Sequence, residues 1–232
     1  MANAKALILQ TLQEKAVLKQ DIFNLTIDKF DQLKTVLKSI ADDIQTEMAK
    51  VDKRIVVEYK EKSSFSVLIR IAGDVMLFEM HTNVFLFDSE HRLWQTSYLK
   101  EKHSRAYCGV INIYNFLNDS IKYNRVNDLG YLVGRVFVNK EGHFFMEGKR
   151  QMGFLYNNFD TDELNAERTR DLLQSVILYV INFDLLTPPY QTVQEVSVAQ
   201  ITENAQFLGS RTGKRLGFVF HKDEDSISGS LL

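Results

Sequence analysis

Two acid-and-lysine triplets are the residues best placed to do chemistry. Glu147-Gly148-Lys149 has the Glu-x-Lys spacing with which a class of metal-dependent nucleases holds a divalent cation and orients the attacking water. Asp74 or Asp128 would supply the second carboxylate of such a site. Glu58-Tyr59-Lys60 has the same spacing, so the pattern is cheap. In a strand, residues two apart simply share one face, where Glu and Lys pair in solvent.

Other chemistries find less. His81, His91, His103, His143 and His221 lie too far apart in sequence, and too far from Cys108, for a zinc-ligand spacing. No cofactor is implied. Cys108 is the single cysteine; it has no disulfide partner within the chain and reads as a small buried hydrophobe rather than a nucleophile. Gly209–Lys214 has three residues between its glycines, where a phosphate loop needs four, and Arg215 stands where that loop needs Ser or Thr. Lys214–His221 echoes an RNA-recognition strand only in its Gly-Phe-Val core and reads as a hydrophobic closing strand. One segment does combine cations with aromatics. Arg92, Lys100, Lys102 and Arg105 surround Trp94 and Tyr98, an arrangement that suits a nucleic-acid strand or an acidic partner. These six residues are the sequence's binding candidates.

The elements that must position these groups follow from hydrophobic period. Phe23, Phe30, Leu37, Ile44 and Val51 recur at seven-residue intervals, with Leu33 and Ile40 between them, which is one apolar helical face. The weak point of that helix is Asn24–Ile27, where low-propensity residues could divide residues 3–51 in two. The seam suits packing on the chain's own sheet or, in a homodimer, on the 23–51 helix of a second copy. After Lys53 the period drops to two. Strands are expected at 54–61, 65–72, 75–81 and 84–87, pairing in sequence as a meander, and 88–106 reads as a polar loop. Residues 109–123 fit both periods: Val110, Tyr114, Leu117 and Ile121 share a helical face, whereas Ile111 and Ile113 flanking Asn112 fit a strand, and length with the polar Asn residues favours the helix.

Residues 131–138 and 144–149 flank a four-residue loop ending in Gly142, a hairpin. Asp160 and Glu163 form a capping box for a helix that looks buried nearly all round in its second half and ends before Pro188-Pro189. Residues 192–206 are ambiguous, and 216–220 read as a last strand.

The expected fold class is therefore α+β: a mostly antiparallel sheet, meander plus hairpin, with a long N-terminal amphipathic helix and a buried C-terminal helix packed on it. One domain is expected over residues 1–222 (1–51 helical, 54–222 sheet and helices), and a disordered tail over 223–232. The element order over residues 21–184 looks similar to that of the type III secretion chaperones, without any shared motif. That likeness implies a dimeric binder of other polypeptides.

Bulk properties narrow the class. Apolar residues make up 45% and charged residues 25%, enough for a substantial core, and the net charge of −2 speaks against a nucleic-acid partner. No run approaches the roughly 20 apolar residues of a membrane span, and no signal peptide is recognisable, so a cytoplasmic location is expected. With no catalytic constellation, the sequence reads as a non-enzymatic binding or scaffold protein with a protein partner. The alternatives are a nuclease-type hydrolase built on Glu147 and Lys149, or a small-ligand pocket between sheet and helices.

Overall fold

The computed structural model describes residues 2–148, 151–185, 187, 189–199 and 201. The N-terminal half-period pattern becomes one uninterrupted helical rod. α1 (Ala2–Thr11) runs through a π-type turn (Leu12–Ala16) into α2 (Val17–Val51). Of the two arrangements the sequence allowed, a hairpin or one long helix, the structure has the long helix, unbroken at Asn24–Ile27. Thr26 is fully buried, and its hydroxyl donates to the Ile22 carbonyl at 2.6 Å, which satisfies the side chain inside the helix. A small residue is needed here because the helix crosses the sheet at Gly109, where an added Cβ would fall 2.1 Å from the Thr26 Oγ1.

The sheet is antiparallel throughout, in the order β1-β2-β3-β5-β6-β7. Its strands are β1 (Val57–Ser63), β2 (Ser66–Ile71), β3 (Asp74–Met80), β4 (Phe85–Leu86), β5 (Tyr107–Leu117), β6 (Tyr131–Asn139) and β7 (Phe144–Gly148). Two expectations are corrected. β4 does not continue the meander against β3; it pairs with the start of β5, Phe85 opposite Cys108. The favoured helix over 109–123 is instead the central strand β5, followed by a single turn, α4 (Asn118–Lys122). A central strand is apolar on both faces, which hides its period of two. Ile111 and Ile113 face the helices, whereas Val110, Asn112, Tyr114 and Phe116 face the other way.

Between β4 and β5, residues 88–106 form a compact insert with a 3-10 turn (Arg92–Gln95), α3 (Ser97–Glu101) and a second 3-10 turn (His103–Ala106). A polar loop was expected there; Leu93, Leu99 and Ala106 are buried instead.

On the inner face, α2 and α6 (Ala166–Ile181) cover the sheet. Phe23, Phe30, Leu33, Leu37, Ile40 and Ile44 all pack into this main core, so most of the seven-residue seam is used on the chain's own sheet, whereas Val51 at its end is 78% exposed. α6 is capped by Asn165, whose side chain accepts from the Arg168 amide at 2.9 Å, and not by the Asp160–Glu163 box. Asp162 is held elsewhere, its carbonyl accepting the Phe144 amide at 2.9 Å, as residues 156–164 run along the β7 edge. The second half of α6 is also less buried than expected: Leu178 is 59% and Ile181 46% exposed. Opposite, the β1 edge carries Glu58, Lys60, Glu61 and Lys62, charges that discourage strand addition. Two short helices complete the described chain, α5 (Gln151–Leu155) and α7 (Tyr190–Val193). Among the described residues, no helix is long and apolar enough to cross a membrane. The segments 209–215, 216–220 and 223–232, and residues 202–206, lie outside the described residues.

Candidate functional site

The two-carboxylate reading separates in space. Glu147 on β7 forms an ion pair with its cross-strand neighbour Arg135, whose Nε donates to Glu147 Oε2 at 2.8 Å. Asp74 begins β3 opposite Leu117 and accepts from the Asn115 amide at 3.0 Å. Tracing the register from Glu147 through Arg135 and Asn112 to Glu79, Asp74 lies three strands over and five residues along. That is about 20 Å at ordinary strand spacings. Asp128 is enclosed in the loop after α4, where the Ser120 hydroxyl donates to it at 2.6 Å and Arg125 stands at 3.7 Å. Lys149 lies outside the described residues. Among the described residues, no group of three or more His, Cys, Asp and Glu could hold a metal ion. Cys108 is fully buried, and burial pushes its thiol well above the ordinary range, opposite to what a nucleophile needs.

The six basic and aromatic candidates all fall in the insert or at its base. Tyr98 is buried; its hydroxyl accepts from the Asn139 amide at 2.8 Å and donates to Glu141 at 2.9 Å. Burial takes Tyr98 up to about 12, with the bond to Glu141 adding to the rise and the Asn139 donor opposing it. The Arg105 guanidinium lies 4.2 Å from the Tyr98 ring centroid and bonds Glu141 at 3.1 Å. Lys102 adds a weaker contact to Glu141 at 3.4 Å. Glu141 sits below the usual carboxylate range: burial pushes it up, but the donors from Arg105, Tyr98 and Lys102 outweigh burial. Trp94 donates to the Asp88 carbonyl at 2.8 Å and Arg92 to Asn157 at 2.8 Å, while Lys100 is exposed. Together these contacts fasten the insert onto the outer sheet face.

Under the insert, Val110, Phe137 and Phe145 form one row across three strands and join Leu93, Tyr98, Leu99 and Phe159 in a second core. Two residues along the same strands comes a polar row, Ser66, Glu79, Asn112, Arg135 and Glu147. Beyond it the face turns apolar again: Leu68, Leu77, Tyr114 and Leu132 stand in register across β2, β3, β5 and β6. None of these four belongs to either core, and Leu132 is 39% exposed. The next row is Glu58, Arg70, Val75 and Phe116, with Glu58 and Arg70 paired at 3.2 Å. Phe116 packs against Gly130, where an added Cβ would fall 2.4 Å from the ring. Leu129 and Val126 in the adjoining loop are 62% and 80% exposed.

The open half is therefore a flat apolar strip between two ion pairs of balanced sign. It offers neighbouring side chains spaced about 4.8 Å apart across the strands. None of Leu68, Leu77, Tyr114 and Leu132 was singled out from sequence as a binding residue. Their signal was the alternation Val110, Asn112, Tyr114, Phe116, obscured by the helical reading of 109–123.

Compared with protein-family models, with curated proteins and with solved structures, the chain matches none. The likeness of element order to the type III secretion chaperones loses its basis with the helix at 109–123, and no solved structure restores it.

Proposed function

We propose that this chain is a non-enzymatic binding module that engages a protein partner through the open half of its outer sheet face. The observation that carries the reading is the in-register row Leu68, Leu77, Tyr114 and Leu132, which lies outside both cores with Leu132 exposed and the other three half-buried. A central apolar strip with a rim of paired charges is the anatomy of a protein interface. Other ligand classes fit it less well. A small molecule needs a concave site that encloses most of its surface, and a flat strip does not supply one. A nucleic acid needs an excess of cations, whereas Glu58, Glu79 and Glu147 balance Arg70 and Arg135 here.

The test is affinity capture from the cells that make the protein, using the full chain and the double variant Leu77→Glu, Leu132→Glu. Proteins bound by the wild type and lost from an equally stable variant support the reading. An unchanged set of bound proteins would refute it.

A further inference from the structure

Leu216-Gly217-Phe218-Val219-Phe220, the last strand expected from the sequence, lies outside the described residues. Its five residues carry no polar side chain, with Lys214-Arg215 just before them and Asp223-Glu224-Asp225 shortly after. In an extended chain Leu216, Phe218 and Phe220 fall on one side and span about 14 Å.

The open strip of the outer face has the same length and complementary ends. Leu68 to Leu132 is three strand spacings, about 14 Å. At the β1 end Lys60 stands opposite Leu68, with Lys62 in the adjoining bulge; both are exposed, and neither has an ion pair among the described residues. At the β6 end the chain itself comes back. Phe183, two residues past α6, lies 6.4 Å ring to ring from Tyr131, the residue before Leu132. Asp184 beside it is exposed and likewise has no ion pair among the described residues. Arg70 and Arg135, on the flanking rows, are already committed to Glu58 and Glu147.

We propose that Leu216–Phe220 straps the strip Leu68, Leu77, Tyr114 and Leu132 of its own chain, running from β6 towards β1, and that a partner must displace it. That direction sets Lys214-Arg215 by Asp184 and Asp223-Glu224-Asp225 by Lys60 and Lys62, base on acid at both ends. The reverse direction sets like charges together. Reach does not limit the contact: the roughly thirty residues from Phe183 to Leu216 extend to about 100 Å, several times the width of the sheet. Tethering makes the chain's own segment the occupant. A linked segment meets the strip at an effective concentration in the millimolar range, so even a weak contact is filled, and a free partner must outcompete it. Gating, though not the strap itself, rests on the partner reading of this face.

Benzoylphenylalanine in place of Phe218 of the purified full chain tests the strap. Irradiation should join it to peptides within 66–80, 107–117 or 131–139 of the same chain. The yield should not change between about 1 µM and about 50 µM, both far below the millimolar range of a tether. It should fall about ten-fold in Leu77→Glu, Leu132→Glu, which puts charge on the apolar floor. The converse probe at Leu132 should reach residues 211–222 and lose them in Phe218→Asp, Phe220→Asp, a pair outside the described core. Adducts confined to other parts of the chain, adducts between two chains, or yields unchanged by both pairs of substitutions would overturn the proposal. Capture of partners by Phe218→Asp, Phe220→Asp should rise about three-fold or more, as release from a tethered competitor requires. A strap seen by crosslinking with no such rise refutes the gate alone. No strap, with capture still lost in Leu77→Glu, Leu132→Glu, refutes the strap and leaves the partner reading standing.

Discussion

The two halves of the outer sheet face share β5 and β6 and differ in what lies on top. At one end Val110, Phe137 and Phe145 sit beneath the insert, with Phe137 and Phe145 stacked at 4.9 Å and Phe159 meeting Phe145 edge-on at 5.0 Å. At the other end Leu68, Leu77, Tyr114 and Leu132 repeat the pattern outside both cores, three of them half-buried and Leu132 exposed. The polar row through Glu79, Asn112, Arg135 and Glu147 divides them. The chemistry of a strand face thus does not say whether it is core or contact surface. That depends on whether the chain supplies a cover, and here the cover is held by one polar knot of Tyr98, Arg105, Asn139 and Glu141.

The contrast can be broken first by truncation. Phe145→Ala in the covered half should cost about 3–5 kcal/mol, because it removes a ring from a close-packed core and leaves a cavity. Leu77→Ala in the open half should cost about 1 kcal/mol or less, since the collapse lost is partial. Urea titration of both variants reads the difference; equal costs would mean that the two halves are equally covered.

Next in size is the knot. Tyr98→Phe leaves the Asn139 amide, fully buried, without its acceptor, and should cost about 1–3 kcal/mol. Limited proteolysis should then cut first within 88–106. Cleavage elsewhere would detach the knot from the insert's stability.

Acid should act on the covered half selectively. Burial holds His91 below its ordinary value of 6.5, against the pull of Glu147 and with Arg92 and Arg135 adding to the effect. A folded-state value below the unfolded one means full stabilisation above pH 6.5, lost as the pH falls through that value and below. Glu141, held below 4.5, has the same sign and weakens the insert in a second, lower step. Near-ultraviolet signals from Trp94 should follow the first step in the wild type and lose it in His91→Gln. The smallest effect is expected for Leu132→Ser, within about 0.5 kcal/mol of the wild type, and it sharpens the comparison only if binding is lost.

Much of this architecture was legible in the residues. The change of period near Lys53 separates rod from sheet, and Gly142 marks the β6–β7 turn with φ of 78°, a conformation that favours glycine. The central strand was not legible, because Ile111 and Ile113 pack on one side while Val110 and Tyr114 face the other, and two apolar faces on one strand resemble a helix stripe. Asn112 and Asn115 strengthened that reading, yet Asn112 belongs to the polar row and Asn115 bonds Asp74. The insert was misjudged for a similar reason: Arg92, Lys102 and Arg105 look like a solvated loop until Glu141 and Asn157 are brought to them from distant strands and turns. The candidate face was missed with the strand that carries its centre.

The central claim is that the open half of the outer face meets a protein. Photo-crosslinking tests it most directly, with benzoylphenylalanine placed at Leu77 or Leu132 and, as a control, at Lys62 on the exposed β1 edge. Covalent adducts with one protein species from positions 77 and 132 and none from 62 are predicted. No adduct at 77 and 132, or equal adducts at all three positions, would contradict the account.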